Sequence, residues 1–382
     1  MAPEKMVENM IPVCEPTLHG NEMNYVQEAV RSGWISSAGK YITELEEKFA
    51  AFCGVNYGVS CSNGTTALHL AVEALGIGAG DEVIIPTFTM AATCNAVIYA
   101  GAKPVLIDAE LQTWNMDISH IEAKITPRTK AIMVVHTYGH PADMDAIMTI
   151  ARKHNLLVIE DAAEAHGAEY QGRKAGSLGD IAAFSFYANK LMSCGEGGMV
   201  VTNNTSWAEK AKSLRNHFFG TQHRYVHEQL GYNYRLTNVQ AAIGVAQLER
   251  LPLYVEARRK NAHRYNQLLH EVQGITLPPE RPWAKNVYWM YGILIENNFG
   301  VSMPALREEL LKRGIDTRSF FVGMHQQPAY LKNDPRFPDV SGNYPIADAL
   351  AEKGLYLPSS SHLTDEQIHR VVKAIVEIQH GR

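Results

Sequence analysis

The chain has 382 residues, of which 46% are hydrophobic and 20% are charged, as is ordinary for a soluble globular protein. Its formal net charge of −5 gives no reason to expect a nucleic-acid partner. No apolar run reaches the roughly 18 residues that a membrane helix needs, and no signal peptide is visible, so we expect a cytoplasmic protein without a membrane partner.

Short apolar runs alternate with helical stretches over the first two thirds of the chain. They lie at residues 83–85, 104–107, 131–135, 156–159, 181–186 and 199–201. This alternation predicts a mostly parallel sheet covered by helices, and the length of the chain predicts a second, smaller domain. We therefore predict an α/β fold with a large domain of residues 1–252 and a small α+β domain of residues 253–382.

The boundary is placed at Pro252, where we expect the helical pattern to break. Beyond it the sequence predicts a long helix over residues 255–272 and a strand over residues 287–295. Two more helices are expected over residues 303–313 and 364–379. These elements would form the small domain.

Residues 60–66, Ser-Cys-Ser-Asn-Gly-Thr-Thr, precede a stretch with helical apolar spacing. Ser, Asn and Gly at a helix start offer side-chain caps and free backbone N–H groups, and the helix dipole attracts an anion there. The segment therefore indicates a phosphate site. An ordinary capped helix is the alternative.

Two residues that can carry chemistry follow predicted strands. Asp161 comes after residues 156–159, and Lys190 comes after residues 181–186 and before the glycine-rich turn 195–198. Ligands bind at the carboxyl ends of strands in open α/β sheets. A lysine that forms an imine and an acid that holds a protonated ring nitrogen are the groups that pyridoxal phosphate chemistry needs. Desolvation at this edge would lower the pKa of the lysine and make it nucleophilic.

Cysteines and histidines give weaker signals. The five cysteines form an odd set without paired spacing, which favours a reducing compartment over a disulfide framework. His217, His223 and His227 are close enough in sequence to suggest zinc, but no nearby Cys or carboxylate completes a familiar ligand set. We therefore expect no metal site.

Several stretches together resemble the DegT/DnrJ/EryC1/StrS family of sugar aminotransferases, which belongs to fold type I of the pyridoxal phosphate enzymes. The resemblance runs from about Ile11 to the last helix. It rests on residues 32–37 (Ser-Gly-Trp-Ile-Ser-Ser), 80–89, 160–164 (Glu-Asp-Ala-Ala-Glu), 185–198 and 233–238 (Asn-Tyr-Arg-Leu-Thr-Asn). The resemblance implies pyridoxal 5'-phosphate as cofactor, L-glutamate as amino donor, and a homodimer with shared active sites.

The resemblance also implies which residues bind the cofactor. Lys190 would form an imine with it, and Asp161 would pair with its pyridinium nitrogen. Glu164 falls where the family places a Gln or Glu near the phenolic oxygen. Family members often stack an aromatic ring on the cofactor from this segment, and the resemblance places Met90 rather than Phe88 at that position. Either residue would cover the ring, and a core role is an equal alternative for Phe88.

The phosphate contacts follow from the same resemblance. Gly64, Thr65 and Ser185 match the family's phosphate-binding positions. Asn233 matches an asparagine that reaches the phosphate from the neighbouring subunit. The active site would then be complete only in a dimer.

The substrate implied is a nucleotide-linked keto sugar. Residues 32–37, Glu164 and Lys190 resemble the branch that aminates C4 of GDP-4-keto-6-deoxymannose; C4 or C3 amination of a UDP- or dTDP-linked keto sugar is the alternative. Two rival functions are a pyridoxal phosphate sugar dehydratase and a non-catalytic regulatory homologue. The dehydratases of the family carry histidine in place of Lys190, so the lysine argues against the first. The presence of Lys190 and Asp161 argues against the second.

The sequence offers five candidate contacts to such a substrate. Nucleotide sugars carry a diphosphate, which arginine can bind in a bidentate manner, and the loop of residues 34–40 is a further candidate contact to it. The small domain of related enzymes offers residues such as His325 to the sugar nucleotide. A structural role for the histidine is an equal alternative. The candidates are Trp34, Ser36, Arg224, Arg318 and His325.

Overall fold

The computed structural model describes residues 10–219, 223, 225–332 and 334–381. Its α-helices are α1 (Glu22–Arg31), α2 (Lys40–Cys53), α3 (Gly64–Ala74), α4 (Ala91–Tyr99), α5 (Ile121–Lys124), α6 (Met144–His154), α7 (Thr205–Leu214), α8 (Asn238–Leu269), α9 (Met303–Lys312), α10 (Pro345–Lys353) and α11 (Asp365–Gln379). Within the residues that the structure describes, no helix is long and apolar enough to cross a membrane.

The strands fall into two groups along the chain. The first group contains β1 (Tyr57–Cys61), β2 (Glu82–Pro86), β3 (Lys103–Ile107), β4 (Thr129–Val135), β5 (Leu157–Asp161), β6 (Glu169–Tyr170), β7 (Arg173–Lys174), β8 (Ile181–Ser185) and β9 (Gly198–Thr202). The second contains β10 (Ile275–Thr276), β11 (Ala284–Lys285), β12 (Tyr291–Ile295), β13 (Arg318–Ser319) and β14 (Gly354–Leu357).

The central sheet has the strand order β1-β9-β8-β5-β4-β2-β3. Strands β8, β5, β4, β2 and β3 run parallel, and β9 runs antiparallel to both of its neighbours. Strands β2, β8 and β9 are buried along their whole length, as expected where helices cover both faces of a sheet. The predicted mostly parallel α/β architecture is therefore confirmed.

A second sheet, β10-β12-β14-β13, is antiparallel and has its own apolar core. Helix α11 packs against α8 and α9 beside this sheet. Side chains such as Ile293 on β12, Leu306 on α9 and Ile375 on α11 are buried in that core. The predicted helices over 303–313 and 364–379 are present as α9 and α11, and Thr364 caps α11.

The expected break at Pro252 is wrong, because α8 continues through that residue from Asn238 to Leu269. A proline removes one helical hydrogen bond, but packing on both sides of it can offset the loss. Helices α1 and α2 contact α8, as does α11, and α8 buries side chains on both sides of Pro252, among them Ala242 and Tyr265. The division of the chain at residue 252 stays a prediction.

The predicted strand over residues 287–295 is shorter than expected, because only Tyr291–Ile295 is strand β12. Tyr288 has a positive φ of 47°, which a strand does not tolerate. The backbone N–H groups of Val287 and Trp289 instead donate to the carbonyl oxygens of Gly139 and Tyr138, at 3.2 and 3.0 Å. Long-range pairing thus turns this segment towards the large sheet.

Candidate active site

A cavity of about 430 Å³ opens at the carboxyl ends of the parallel strands. Asp161 is the last residue of β5, and Ser185 is the last residue of β8. Gly64, Glu164 and Lys190 line the same cavity. The fold therefore brings these sequence-predicted residues together at the edge where open α/β sheets bind ligands.

Lys190 is buried in this cavity, with its side chain 10% exposed. Burial lowers the pKa of the Lys190 amine, and the nearby Glu164 and Asp161 carboxylates oppose that shift. The Nζ atom lies 3.8 Å from Glu164 Oε1 and 3.6 Å from the centroid of the Trp289 ring. Because desolvation favours the neutral amine, Lys190 is suited to act as a nucleophile.

Asp161 is buried and held by two hydrogen bonds. Thr93 Oγ1 donates to Oδ2 at 2.7 Å, and the backbone N–H of Ala163 donates to Oδ1 at 3.2 Å. Burial raises the pKa of Asp161, while the Thr93 bond and the Lys190 charge act against it. A cationic partner in the cavity would favour the ionised carboxylate, which is the form that can hold a protonated ring nitrogen.

Glu164 faces Lys190 from the turn that follows β5. Burial raises the pKa of Glu164 to about 7. Its Oε2 accepts a hydrogen bond from the backbone N–H of Tyr138 at 2.8 Å. Tyr138 adopts a left-handed φ of 55°, so the chain holds a strained residue beside this carboxylate.

The start of α3 forms a cradle for an anion. Asn63 Oδ1 accepts from the Thr66 N–H at 2.9 Å and caps the helix. Gly64 and Thr65 occupy the first turn and line the cavity opposite Ser185. A Cβ atom added to Gly64 would lie 2.6 Å from the Ser185 Cβ, so only glycine fits there. A helix N-terminus that faces a buried amine and a buried carboxylate fits the phosphate, the carbonyl carbon and the ring nitrogen of pyridoxal phosphate.

The structure distinguishes the two candidates for covering the cofactor ring. Met90 lines the cavity, and its side chain is 55% exposed. Phe88 is fully buried and packs against Tyr138, Phe320 and Phe321. Phe88 thus belongs to the aromatic core behind the site, and the contact with the ring stays a prediction for Met90.

Asn233 is exposed and does not line the cavity of its own subunit. Its Oδ1 accepts from Arg235 Nε at 3.0 Å, and Arg235 Nη1 donates to Asn216 Oδ1 at 2.9 Å. The NH₂ group of this exposed amide can donate hydrogen bonds, and a contact of Asn233 with the phosphate of another subunit stays a prediction.

Trp34 and Ser36 lie apart from the lysine cavity. Their carbonyl oxygens accept from Asn238 Nδ2 and from the Asn238 backbone N–H, each at 2.6 Å, which ties the loop to the start of α8. Trp34 is 60% exposed and lines a separate cavity of about 460 Å³. Within one subunit these residues do not reach the site.

The remaining candidate contacts are not gathered at the cavity either. Arg224 lies outside the described residues. Arg318 is exposed on β13 and pairs with Asp316. His325 uses both ring nitrogens within the chain, at 2.8 Å to Thr87 Oγ1 and 2.9 Å to Asp348 Oδ1. These two contacts favour a structural role for His325, and its contact with substrate stays a prediction.

The histidines of residues 217–227 form no metal site in the described part of the chain, where no group of three or more potential ligands comes together. His227 Nδ1 instead lies 2.7 Å from the His217 carbonyl oxygen. The sequence analysis missed Thr93, Tyr138 and Trp289, which contact Asp161, Glu164 and Lys190. No short motif marks them, because each is distant along the chain from its partner.

Comparisons with known proteins agree with this geometry. A family model for the DegT/DnrJ/EryC1/StrS aminotransferase family matches residues 16–376. GDP-perosamine synthase from Caulobacter vibrioides is 46% identical over 96% of this chain and 98% of that protein. A UDP-N-acetyl-3-dehydro-alpha-D-glucosamine 3-aminotransferase from Acidithiobacillus ferrooxidans is 42% identical over 88% of each.

A solved structure extends the comparison to the fold. The crystal structure of DesV from Streptomyces venezuelae, in complex with a ketimine intermediate, aligns with a TM-score of 0.87 and 37% identity over 94% of each chain. The architecture, the cavity and the matched residues thus lead to one assignment. The chain belongs to the DegT/DnrJ/EryC1/StrS aminotransferase family.

Proposed function

We propose that this protein transfers the amino group of L-glutamate to C4 of GDP-4-keto-6-deoxymannose, giving GDP-perosamine and 2-oxoglutarate. The observation that carries the proposal is the 46% identity to a GDP-perosamine synthase over nearly all of both chains. The family consists of pyridoxal phosphate-dependent aminotransferases, and that cofactor is the one that this chain uses.

The residues of the cavity are assigned to parts of the cofactor by their chemistry. Gly64, Thr65 and Ser185 would bind the phosphate at the start of α3. Glu164 would lie near the phenolic oxygen, where protonation of its carboxyl group would let it donate a hydrogen bond. Met90 would pack against the ring.

Lys190 and Asp161 would carry the chemistry. Bound pyridoxal phosphate supplies an electron-accepting ring and holds the amino group between the two half-reactions. The neutral Nζ of Lys190 can attack a carbonyl carbon and can move a proton to or from the carbon that carries the amino group. Asp161 can keep the ring nitrogen protonated, because Thr93 orients its carboxylate.

The assembly would be a homodimer in which Asn233 serves the partner's site. Asn233 is exposed and does not line the cavity of its own subunit, which supports this role. All five cysteines are free, which supports a reducing compartment and hence a cytoplasmic enzyme.

A second candidate function is amination of a UDP- or dTDP-linked keto sugar. The 42% identity to the UDP-sugar 3-aminotransferase of Acidithiobacillus ferrooxidans favours it. That relative aligns with 88% of this chain, compared with 96% for the GDP-perosamine synthase. We therefore keep the GDP sugar as the principal substrate.

An absorbance titration tests the proposal. The holoenzyme is first treated with L-glutamate, which should convert the band of the lysine-bound cofactor, and is then offered GDP-4-keto-6-deoxymannose. Return of the band with this sugar alone supports the proposal. Return only with UDP- or dTDP-4-keto-6-deoxyglucose would move the enzyme to the second candidate function. No response to glutamate would indicate a homologue without turnover.

A further inference from the structure

The indole ring of Trp289 covers the reactive lysine. Its centroid lies 3.6 Å from Lys190 Nζ, and the residue is buried. A cation over the face of an aromatic ring is attracted by the ring quadrupole, most strongly for tryptophan. Trp289 therefore offers the charged form of Lys190 a partner other than the carboxylates.

Three hydrogen bonds from separate segments fix Trp289 in this place. Its Nε1–H donates to the Asn189 carbonyl oxygen at 2.8 Å. Its backbone N–H donates to Tyr138 at 3.0 Å, and its carbonyl oxygen accepts from Arg258 Nη1 at 2.9 Å. The chain itself thus holds the ring in position, as an efficient cation site requires.

Three other titratable groups, Glu164, Asp161 and Cys14, act on the pKa of the Lys190 amine. The Lys190 charge in turn helps to lower the pKa of the buried His166. The nearest Glu164 oxygen is 3.8 Å from Nζ, which is beyond hydrogen-bonding distance. Asp161 is already engaged by Thr93 and Ala163. The carboxylates therefore attract the ammonium group loosely and leave its position to another contact.

We propose that Trp289 is a positioning residue whose ring face holds Lys190 Nζ in the protonated form that the lysine reaches after it has left its covalent bond and taken up a proton. This inference rests on the proposed function, because a transaminase lysine alternates between a bound and a free state in each turnover. The ring keeps the free Nζ inside the cavity, where Lys190 can form its imine again. It also raises the proton affinity of the amine against the effect of burial.

The test measures how the reactivity of Lys190 depends on pH in the full-length chain freed of cofactor. Reductive methylation at a series of pH values, read by mass spectrometry of the Lys190 peptide, gives a midpoint and a plateau rate. Trp289→Leu should lower the midpoint by about half to one pKa unit, and Trp289→Phe by less. Both variants lose the Nε1 hydrogen bond, so the difference between them reports the ring face.

Trp283→Leu is the matched control, because its ring packs against Tyr170 and His140. Its midpoint should equal that of the wild type. A higher plateau rate without a shifted midpoint in Trp289→Leu would show that Trp289 only shields the lysine, and would overturn the proposal. Equal midpoints for the Leu and Phe variants would do the same.

A second measurement covers the case in which the Trp289 variants do not fold. Fluorinated tryptophan incorporated throughout the chain weakens the ring quadrupole and keeps the shape, so the Lys190 midpoint should fall as fluorine atoms are added. An unchanged midpoint would refute the inference. These readouts need no sugar substrate, so the two proposals can fail separately. If the enzyme aminates the GDP sugar but the Trp289 variants show no shift in the Lys190 midpoint, only this inference is disproved. If the midpoint shifts but the GDP sugar is not aminated, only the proposed substrate is disproved.

Discussion

Burial shifts the pKa values of the ionisable side chains at the site. It lowers the pKa of Lys190 and raises the pKa values of Asp161 and Glu164. Each shift favours the neutral form, since a low-dielectric cavity penalises charge. A cofactor that brings an anionic phosphate and a cationic ring nitrogen would supply opposite charges to these groups. These groups thus suit a zwitterionic ligand.

Replacing the reactive lysine tests this account at one atom. Lys190→Ala should remove imine formation and lower turnover on the order of 1,000-fold, because no other amine occupies its place. Absorbance of the reconstituted protein checks the first effect, and a thermal melt should show a fold that remains intact. Lys174→Ala, which removes the amine that pairs with Glu169 at 3.0 Å, is the control and should keep wild-type turnover. Wild-type turnover by Lys190→Ala would refute the assignment.

The raised pKa of Glu164 predicts a pH-dependent stability of the chain without cofactor. Its folded-state pKa of about 7 lies above the ordinary value of 4.5, so the folded state binds more protons between these values. The free energy of unfolding should therefore fall as the pH rises through this window, by at most ~3 kcal/mol. Glu164→Gln cannot ionise and should lose less stability between pH 5 and pH 8. Melting curves of the wild type and of Glu164→Gln at pH 5 and pH 8 test this prediction. Equal losses of stability in the two proteins would contradict it.

Sequence reasoning reached Lys190 and Asp161 because each follows a strongly apolar run and a family motif. It did not reach Trp289, which contacts a lysine 99 positions away across the fold. It also left the role of His325 open, and the contacts of that ring with Thr87 and Asp348 could not be read from the local sequence. Local patterns locate a reactive group, whereas its neighbours depend on tertiary packing.

Among the elements, the start of α3 matters most for cofactor binding. Asn63→Ala should cost about 1 kcal/mol of stability through the lost cap. It should also weaken binding of pyridoxal phosphate roughly five-fold, because the first turn that faces the phosphate loosens. Calorimetry or fluorescence titration measures the affinity.

Asn204→Ala supplies the matched control for this prediction. Asn204 caps α7 through the Trp207 N–H at 3.2 Å, and it does not line the cavity. It should lose similar stability and keep the affinity for the cofactor. Equal affinity in the Asn63 and Asn204 variants would show that the cradle does not depend on its cap.

Helix α8 shows where element prediction fails. Pro252 disfavours a helix locally, but burial of side chains on both sides of it stabilises one continuous helix. The capping box of Thr237 and Gln240, in contrast, lies in the sequence and marks where α8 begins. Caps are local and can be predicted, whereas the end of a helix that packs against several others cannot.

At the scale of the whole molecule, the proposed shared site makes activity a property of the dimer. Lys190→Ala and Asn233→Ala homodimers should each be impaired. A mixed dimer, however, contains one site with both native residues, and random exchange of equal amounts makes about half of the dimers mixed, so turnover should be restored at up to about one of every four sites. Activity measured after subunit exchange tests this. Mixtures no more active than the average of their parents would refute the role of Asn233 across the interface.

The fold as a whole was accessible from the sequence, because buried parallel strands are continuous apolar runs, as at residues 131–135 and 181–186. The antiparallel sheet β10-β12-β14-β13 was harder to predict from the sequence. Strands as short as Arg318–Ser319 and Gly354–Leu357 carry little pattern, and their pairing is fixed by contacts across the chain. The family resemblance supplied the fold type that periodicity alone leaves open.

The most direct measurement of the central claim follows the nitrogen atom itself. The enzyme is incubated with ¹⁵N-labelled L-glutamate and, separately, with GDP-4-keto-6-deoxymannose, UDP-4-keto-6-deoxyglucose and dTDP-4-keto-6-deoxyglucose, and the sugar products are analysed by mass spectrometry and NMR. The account predicts ¹⁵N at C4 of the GDP-linked sugar at a rate well above the other two. Label that appears only in a UDP- or dTDP-linked sugar, or in none of the three, would contradict it.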